Sequence, residues 1–337
     1  MTDIGAEPVP GTALHRGELA KAAEGWWQAA RQTRDAQAGR RAVAWSAVAS
    51  ALAGDRPRLD RARAVLARCA PPATAVELLA DAAQASLEGR AEQVTELAQA
   101  ASAQASSEPE TRAWAELLAA EARASLGHPS ARTHAEQARA AAEQVGLPYV
   151  VGRLDLLRAD RAVHAGDAGA VSEARAPTDT LPAVQGRRLG VLARAALVEG
   201  RHLDARLLHE RAIALLGEVG DGPGVAASVG GVGLCRVAAS ANAEAVAWLT
   251  QAIHRTHKMG ALSDELLWRR HLDDVLGRLN RHETRVADLL EAIALARRLG
   301  RPDEEAALWR TRLACCEDVS DRPGAEACRQ ALAALSG

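Results

Sequence analysis

One nine-residue phrase occurs three times in this chain at a fixed interval. It reads Ala-Ile, then five variable residues, an apolar residue and Gly, and it covers Ala212–Gly220, Ala252–Gly260 and Ala292–Gly300, so it recurs every 40 residues. A unit copied at such an interval cannot bury an apolar face alone and must stack on its neighbours. The interval therefore predicts an elongated array of repeats rather than a globular domain around one central core.

A second and shorter turn signal falls between the copies of the phrase. It consists of glycine or small polar residues at Gly54-Asp55, Gly89, Gly127, Gly166, Gly200, Ser240-Ala241-Asn242, Asn280 and Ser320-Asp321. Glycine readily adopts the left-handed conformation that ends a helix. Each repeat is therefore expected to hold two helices, the first ending at this turn and the second at the Gly of the phrase.

No shift in composition marks a boundary along the chain, so we expect residues 12–337 to form one repeat domain. Residues 1–11 are expected to be a disordered arm. The segment 174–186 contains Pro177 and Pro182 and is predicted to be the loosest connection, a flexible joint.

The composition favours an all-α fold. Hydrophobic residues make up 48% of the chain but aromatic residues only 2%, with no Phe and one Tyr, so the core must be built from Ala, Leu and Val. Ala and Leu lead the helix-propensity ranking, and β-branched runs bounded by turns are nearly absent. Trp114, Trp268 and Trp309 are interpreted as core anchors of their helices, with a surface binding role left open.

Charge and cysteine usage limit the possible partners and location. A net charge of −2 with 25% charged residues lacks the basic footprint of a nucleic-acid binder. No apolar stretch approaches the length of a membrane span, and the five cysteines form no Cys-x-x-Cys pair. We therefore expect a cytoplasmic protein with reduced thiols that binds neither nucleic acid nor a membrane.

Small residues recur within the units at spacings of 12 and then 7 positions, in the triplets Ala119/Ala131/Ala138, Ala193/Ala205/Ala212 and Gly233/Ala245/Ala252. This pattern resembles the tetratricopeptide repeat (TPR), in which such residues lie where the paired helices cross. The resemblance covers about residues 40–335 and implies a right-handed α-solenoid of about eight long repeats, each a helix-turn-helix unit. Arg285 departs from it by standing where a middle Ala belongs, and another α-solenoid such as a HEAT array stays open.

No catalytic motif is present in the sequence. The chain has no Gly-x-x-x-x-Gly-Lys phosphate loop, no Gly-x-Ser-x-Gly elbow and no His-Glu-x-x-His zinc signature. The glycine-rich segment 228–234 lies where a first helix is expected, so we interpret its glycines as helix-packing positions. His254 and His257 are spaced to share a metal, but no further ligand accompanies them. We therefore predict no enzymatic activity, no cofactor and no metal site.

The resemblance implies that the first helix of each repeat lines a concave surface, which is the usual binding face of such arrays. Its inward positions place seven arginines there: Arg123, Arg153, Arg187, Arg194, Arg270, Arg278 and Arg310. The same positions place four acidic residues there: Glu116, Asp160, Asp274 and Glu317. Arginine can bind a carboxylate through two parallel hydrogen bonds. The alternative interpretation is that the arginines are solvated and paired with neighbouring acids, and the sequence leaves it open.

These features favour a non-enzymatic scaffold or adaptor that binds a protein or peptide in its concave groove. The partner would carry acidic groups or a free C-terminus. The alternative function is a receptor for a small molecule or peptide signal, which regulates an effector protein by changing the shape of the superhelix. The oligomeric state stays open.

Overall fold

The computed structural model describes residues 10–69, 73–165 and 181–336, and within these ranges every regular element is an α-helix. The helices are α1 (Pro10–His15), α2 (Leu19–Gln32), α3 (Ala36–Ala53), α4 (Arg56–Leu66), α5 (Ala75–Glu88), α6 (Ala91–Gln104), α7 (Pro109–Ser125), α8 (Ala131–Val145), α9 (Pro148–His164), α10 (Pro182–Val198), α11 (His202–Val219), α12 (Gly222–Ala238), α13 (Asn242–Met259), α14 (Leu262–Arg278), α15 (His282–Arg298), α16 (Pro302–Asp318) and α17 (Arg322–Ser336).

Consecutive helices pair into repeats along the chain. The pairs are α3/α4, α5/α6, α7/α8, α10/α11, α12/α13, α14/α15 and α16/α17. Each pair contacts the one before it in the chain, except that α3/α4 contacts α2 and α10/α11 contacts α9. First helices of successive repeats also contact one another, for example α5 with α7 and α10 with α12, as expected on the inner side of a curved stack. The predicted fold, an all-α right-handed solenoid of TPR-like repeats, is confirmed.

The predicted arm and joint lie partly beyond the part of the chain that the structure describes. Residues 1–9 of the arm and 174–180 of the joint are outside the described residues. The last residues of the arm belong to α1, and residues 182–186 of the joint form the first turns of α10.

Among the described residues, both predicted turn signals end helices as expected, whereas Gly166 of the second signal lies outside them. The glycines that close the three phrases, Gly220, Gly260 and Gly300, have φ angles of 74°, 73° and 67°. At the other turn of the last three repeats, the left-handed position holds Ser240, Asn280 and Ser320, with φ angles of 60°, 55° and 59°. The phrase therefore predicted the backbone conformation as well as the period.

The small residues of the three triplets are buried where paired helices cross, each alanine exposing 2% or less of its surface. Trp114 is fully buried and Trp268 is 6% exposed, which confirms their interpretation as core anchors. Trp309 is only half-buried, with the Arg312 guanidinium 5.9 Å from its ring centroid. The core is therefore a continuous layer of alanine and leucine with a few aromatic anchors.

The glycines of segment 228–234 lie inside α12 and make room for neighbours on different sides. A Cβ at Gly230 would lie 2.5 Å from ring atoms of Trp268 on α14, and one at Gly231 would overlap His209 on α11. A Cβ at Gly233 would lie 3.0 Å from Leu249 on α13. Their predicted role in helix packing is confirmed, since one helix approaches three others through them.

The superhelix contacts itself where a later turn passes an earlier one. The end of α3 meets the end of α13 and the beginning of α12: a Cβ at Gly54 would overlap Met259 and would lie 3.2 Å from Pro223. The end of α5 likewise lies against Ser263 at the beginning of α14. These contacts join repeats far apart in sequence, so they limit how far the superhelix can stretch without separating its turns.

The cysteines are free thiols, and four of them are buried: Cys235, Cys315, Cys316 and Cys328. Burial raises the pKa of Cys235 to about 11, so the group stays a neutral thiol at physiological pH and behaves as a small apolar side chain. Among the described residues no helix combines the length and the apolar character needed to cross a membrane.

His209 provides a pH-dependent contribution to stability. It is 2% exposed, and burial lowers the pKa of its imidazole to about 4, with the nearby positive charge of Arg194 as the smaller cause. Because the folded pKa lies below the ordinary value of 6.5, the unfolded chain binds the extra proton below pH 6.5. We expect the unfolding free energy to fall by roughly 1 kcal/mol between pH 7.5 and 5.5 through this group alone. Urea titrations of wild type and His209→Met test this, and identical pH slopes would contradict it.

Candidate functional site

Residues of α7, α9, α10, α11 and α12 line one cavity on the inner side of the solenoid. We call it the groove cavity; its volume is about 180 Å³. Its lining combines charged, small and aliphatic side chains: Glu121, Arg153, Leu156, Leu157, Asp160, Arg187, Gly190, Val191, Arg194, Leu216, Gly224, Ala227 and Ser228. Three of the seven predicted arginines therefore meet here, contributed by α9 and α10.

Arg153 links α9 to α7. Its guanidinium forms an ion pair with Glu121 and donates a hydrogen bond of 3.2 Å to the hydroxyl of Tyr149. Only 11% of the Arg153 side chain is exposed. Burial would lower the pKa of this guanidinium, yet the charge of Glu121 and the hydrogen bond to Tyr149 raise it, with a net upward shift. Arg153 is thus a permanent cation held by the wall of the cavity.

Arg187 and Arg194 lie two turns apart on α10 and join it to the helices on either side. Arg187 donates from Nε and Nη2 to the two oxygens of Asp221, at 2.6 and 2.9 Å. Asp221 is fully buried and also caps α12 by accepting from the backbone of Gly224 at 2.9 Å. Arg194 donates from Nε to Asp160 on α9 at 2.9 Å, and its Nη2 contacts the same oxygen.

The ion pairs of Arg187 and Arg194 leave some of their N–H donors without a hydrogen bond to the described residues. Both Arg187 and Arg194 use the side of the guanidinium formed by Nε and Nη2. The Nη1 group of each makes no hydrogen bond to a described residue. A guanidinium carries five N–H donors, so its outer edge can still bind a carboxylate while the inner edge holds the fold together.

Gly190 lines the cavity, and the space in front of its Cα is open. It lies within α10, and a Cβ there would meet nothing closer than the Ser228 hydroxyl at 3.9 Å and Nη1 of Arg194 at 4.0 Å. Glycine in a helix interior lowers stability relative to Ala. No close packing contact requires a glycine here, and its effect is to keep the cavity open.

The other four predicted arginines do not line the groove cavity. Arg270 is exposed and donates 2.8 Å to Glu304 of the next repeat. Arg278 and Arg310 are exposed, and Arg123 is half-buried with its Nε inside the protein. Of the four acidic residues expected on the inner face, Asp160 lines the cavity. Glu116 does not, because it is buried toward Ser102 and His134 on the flanking helices.

Sequence reasoning placed Asp160 on the inner face without assigning it to Arg194, and it missed Glu121 and Asp221, the partners of Arg153 and Arg187. Glu121 precedes Arg153 by 32 residues, and Asp160 precedes Arg194 by 34. Asp221 follows Arg187 by 34 residues. These separations approach one repeat, so acids displaced by one unit from each arginine were the available signal.

No protein-family model and no curated protein match the chain, but solved structures do. The chain is similar to a Rap protein in complex with the competence and sporulation factor, at 10% identity and a TM-score of 0.60, covering 98% of each chain. It is similar to the apo quorum sensor NprR from B. thuringiensis at 12% identity and a TM-score of 0.48, covering 97% of each. A third match is aspartyl phosphate phosphatase F from Bacillus subtilis, at 10% identity and a TM-score of 0.43, covering 100% of this chain and 96% of that one. The likeness to the Rap protein shows a shared fold, that of a helical-repeat protein.

The prediction that the chain is not an enzyme is wrong as an inference from the sequence. One matched protein is named for an enzymatic activity, aspartyl phosphate phosphatase F. The prediction relied on the lack of catalytic motifs, but a repeat scaffold can bring reactive groups together from distant helices, where no local motif records them. The lack of such a motif therefore does not exclude catalysis.

Proposed function

We propose that this protein is a regulatory TPR protein that binds a peptide in its concave groove. The groove cavity carries the proposal: it lies on the inner face, has an aliphatic floor, and presents two guanidinium edges that the fold itself does not use. Pockets with an apolar lining and a few oriented polar groups are typical binding sites. The Rap protein of the same fold was solved with a bound factor, so the architecture can accommodate one.

The arginine edges define the chemistry of the proposed ligand. Each of Arg153, Arg187 and Arg194 already has an internal carboxylate partner, so the cavity wall is close to neutral. The remaining hydrogen-bonding capacity of the two α10 arginines is purely donating. A ligand that supplies acceptors, such as an acidic side chain or a free C-terminus, complements them. With all five cysteines as free thiols, four of them buried, the protein is proposed to act in the cytoplasm.

Filling the cavity from Gly190 is the direct test. The Gly190→Leu variant should fold normally, because the added side chain enters open space and improves helix propensity. Peptides selected from a pooled random pentapeptide library on immobilised wild type should bind it at least about tenfold more weakly by fluorescence anisotropy.

The matched control is Gly217→Leu, since Gly217 is also a helical glycine with nothing within 4 Å of a Cβ, but it is exposed on α11. It should bind like wild type. Full affinity in Gly190→Leu, or no peptide retained by wild type, would overturn the proposal.

A receptor that changes shape is the second candidate function, and the contacts between superhelical turns favour it. A ligand wedged between α7, α9, α10 and α12 would alter the angle between repeats, and that change would be transmitted to the contact between Gly54 and Met259. Small-angle scattering with and without a selected peptide distinguishes the candidates. A change in the radius of gyration supports the receptor, and an unchanged curve supports the rigid scaffold.

A further inference from the structure

A further and larger cavity lies on a different face of α9 from the groove cavity. We call it the α8–α9 cavity, because residues of these two helices line it, and its volume is about 680 Å³. This volume lies within the roughly 300–1,000 Å³ of pockets that enclose small organic ligands. We infer that it binds an aliphatic carboxylate, an organic anion with one carboxylate head and a hydrocarbon body, at a site that the proposed peptide binding does not use.

The position of the α8–α9 cavity on α9 separates it from the groove cavity. The groove cavity is lined by Arg153 and Asp160 of α9, whereas the α8–α9 cavity is lined by Leu154 and Ala162. Since successive helical residues are about 100° apart, the two sets of lining residues lie about 120° apart around the helix axis. Among the described residues only Leu157 lines both cavities, so a ligand in one leaves the other accessible.

Small side chains on the two helices leave this space open. Ala131 and Ala135 of α8 line the cavity, together with Ala162 and Ala165 of α9. An alanine side chain reaches only one carbon beyond the backbone, so facing alanines do not fill the gap between two helices. Leu154 adds a larger aliphatic surface and is itself 4% exposed. A hydrocarbon body that enters the cavity is therefore removed from water against an aliphatic wall.

The lining of the α8–α9 cavity carries an excess of positive charge. Of the described residues that line it, one is acidic, Glu136, and four are arginines: Arg132, Arg139, Arg158 and Arg161. Arg132 pairs with Glu136 at 2.8 Å, and 86% of the arginine side chain is exposed; ion pairs this exposed contribute little to stability. The side chain of Arg161 is exposed and forms no ion pair or hydrogen bond with a described residue.

The charge on the arginines defines the head group of the ligand. Arg132 and Arg139 already have carboxylate partners, Glu136 and Asp155, so Arg161 is the cation that a ligand can neutralise. One carboxylate supplies one negative charge and two acceptor oxygens, which the guanidinium can bind through two parallel hydrogen bonds. A phosphate monoester would bring up to two negative charges and exceed what Arg161 offers.

The experiment follows the displacement of a fluorescent fatty acid, dansyl-labelled undecanoate, from the full-length protein. Decanoate and decanamide serve as competitors, because they share the hydrocarbon body and differ in charge. We expect decanoate to displace the probe at a concentration at least about tenfold lower than decanamide does. Equal displacement by the two would overturn recognition of an anion, and stronger displacement by decyl phosphate would overturn the choice of a carboxylate.

Two variants with matched controls assign binding to the α8–α9 cavity. Ala162→Trp places an indole in the cavity and should weaken probe binding at least about tenfold, whereas Ala140→Trp, at an exposed alanine of α8 outside the cavity, should bind like wild type. Arg161→Gln should bring the decanoate-to-decanamide ratio toward one, and Arg211→Gln, on the surface of α11, should keep it. A ratio that Arg161→Gln leaves unchanged would overturn the inference even if Ala162→Trp did not fold.

The Gly190→Leu variant separates this inference from the proposed function. It fills the groove cavity, so it should lose peptide binding and keep the binding of the fatty-acid probe. Probe binding that is lost in Gly190→Leu and kept in Ala162→Trp would place the anion in the groove cavity and overturn the inference. Wild-type protein that binds no probe would also overturn it, and the proposed peptide site would still stand.

Discussion

Replacing Arg187 with methionine is expected to lower the free energy of unfolding by about 3 kcal/mol. The substitution keeps most of the side-chain volume but leaves the Asp221 carboxylate without its two hydrogen bonds at 2.6 and 2.9 Å. Asp221 exposes none of its surface, so water cannot replace the lost partner, and a buried charge without compensation is expensive. Urea denaturation followed by circular dichroism at pH 7 measures the change.

Two controls show whether the loss of unfolding free energy comes from the unpaired charge of Asp221. In the double variant Arg187→Met/Asp221→Asn, the amide oxygen can still cap α12 and no charge is buried, so most of the stability should return. Arg270→Met breaks the exposed pair with Glu304 and should cost less than about 1 kcal/mol. Equal losses for Arg187→Met and Arg270→Met would show that Asp221 is better solvated than its position implies.

The repeat architecture could be predicted because it depends on local signals that the chain repeats. The phrase ending in Gly fixes where second helices end, and the small residues at spacings of 12 and 7 fix where helices cross. Both follow from backbone sterics and close packing within one unit. These signals are therefore present in each single copy, and their repetition makes them easy to recognise in the sequence.

The site was only partly predictable because it depends on how repeats rotate against one another. Arg153, Arg187 and Arg194 were expected on the inner face, but their carboxylate partners are on neighbouring helices, and a small change in rotation would aim each arginine elsewhere. The register also drifts along the array, so Arg278 and Arg310 lie outside the cavity. The spacing of residues in the sequence identifies the face of the array on which they lie. Which of those side chains meet in one cavity can be read only from the three-dimensional structure.

Arg285 shows how a departure from the repeat pattern is accommodated. Where the TPR pattern expects a small residue, its guanidinium donates to both oxygens of Asp273, at 2.8 and 3.0 Å. Gly277 provides the space: a Cβ there would lie 3.2 Å from the guanidinium carbon. The sequence predicted the exception but not its compensation, because the compensating residues belong to the facing helix.

Gly230→Ala is expected to destabilise the protein by about 2 kcal/mol. The new methyl group would lie 2.5 Å from three ring atoms of Trp268. The residue is only 6% exposed, so the indole has little open space to turn into. Overpacking of this kind costs about 3 kcal/mol, and the better helix propensity of Ala returns about 1. Urea denaturation measures the balance between these opposing effects.

A double-mutant cycle assigns the effect to this contact. Trp268→Leu should destabilise the wild type by opening a cavity, but in the Gly230→Ala background the added methyl group should occupy part of that space, so the two changes together should cost less than their sum. Gly217→Ala, with nothing within 4 Å of its Cβ, should stabilise slightly and so measures helix propensity alone. If the two changes were additive, α12 and α14 would have to pack less closely than the glycines of segment 228–234 indicate.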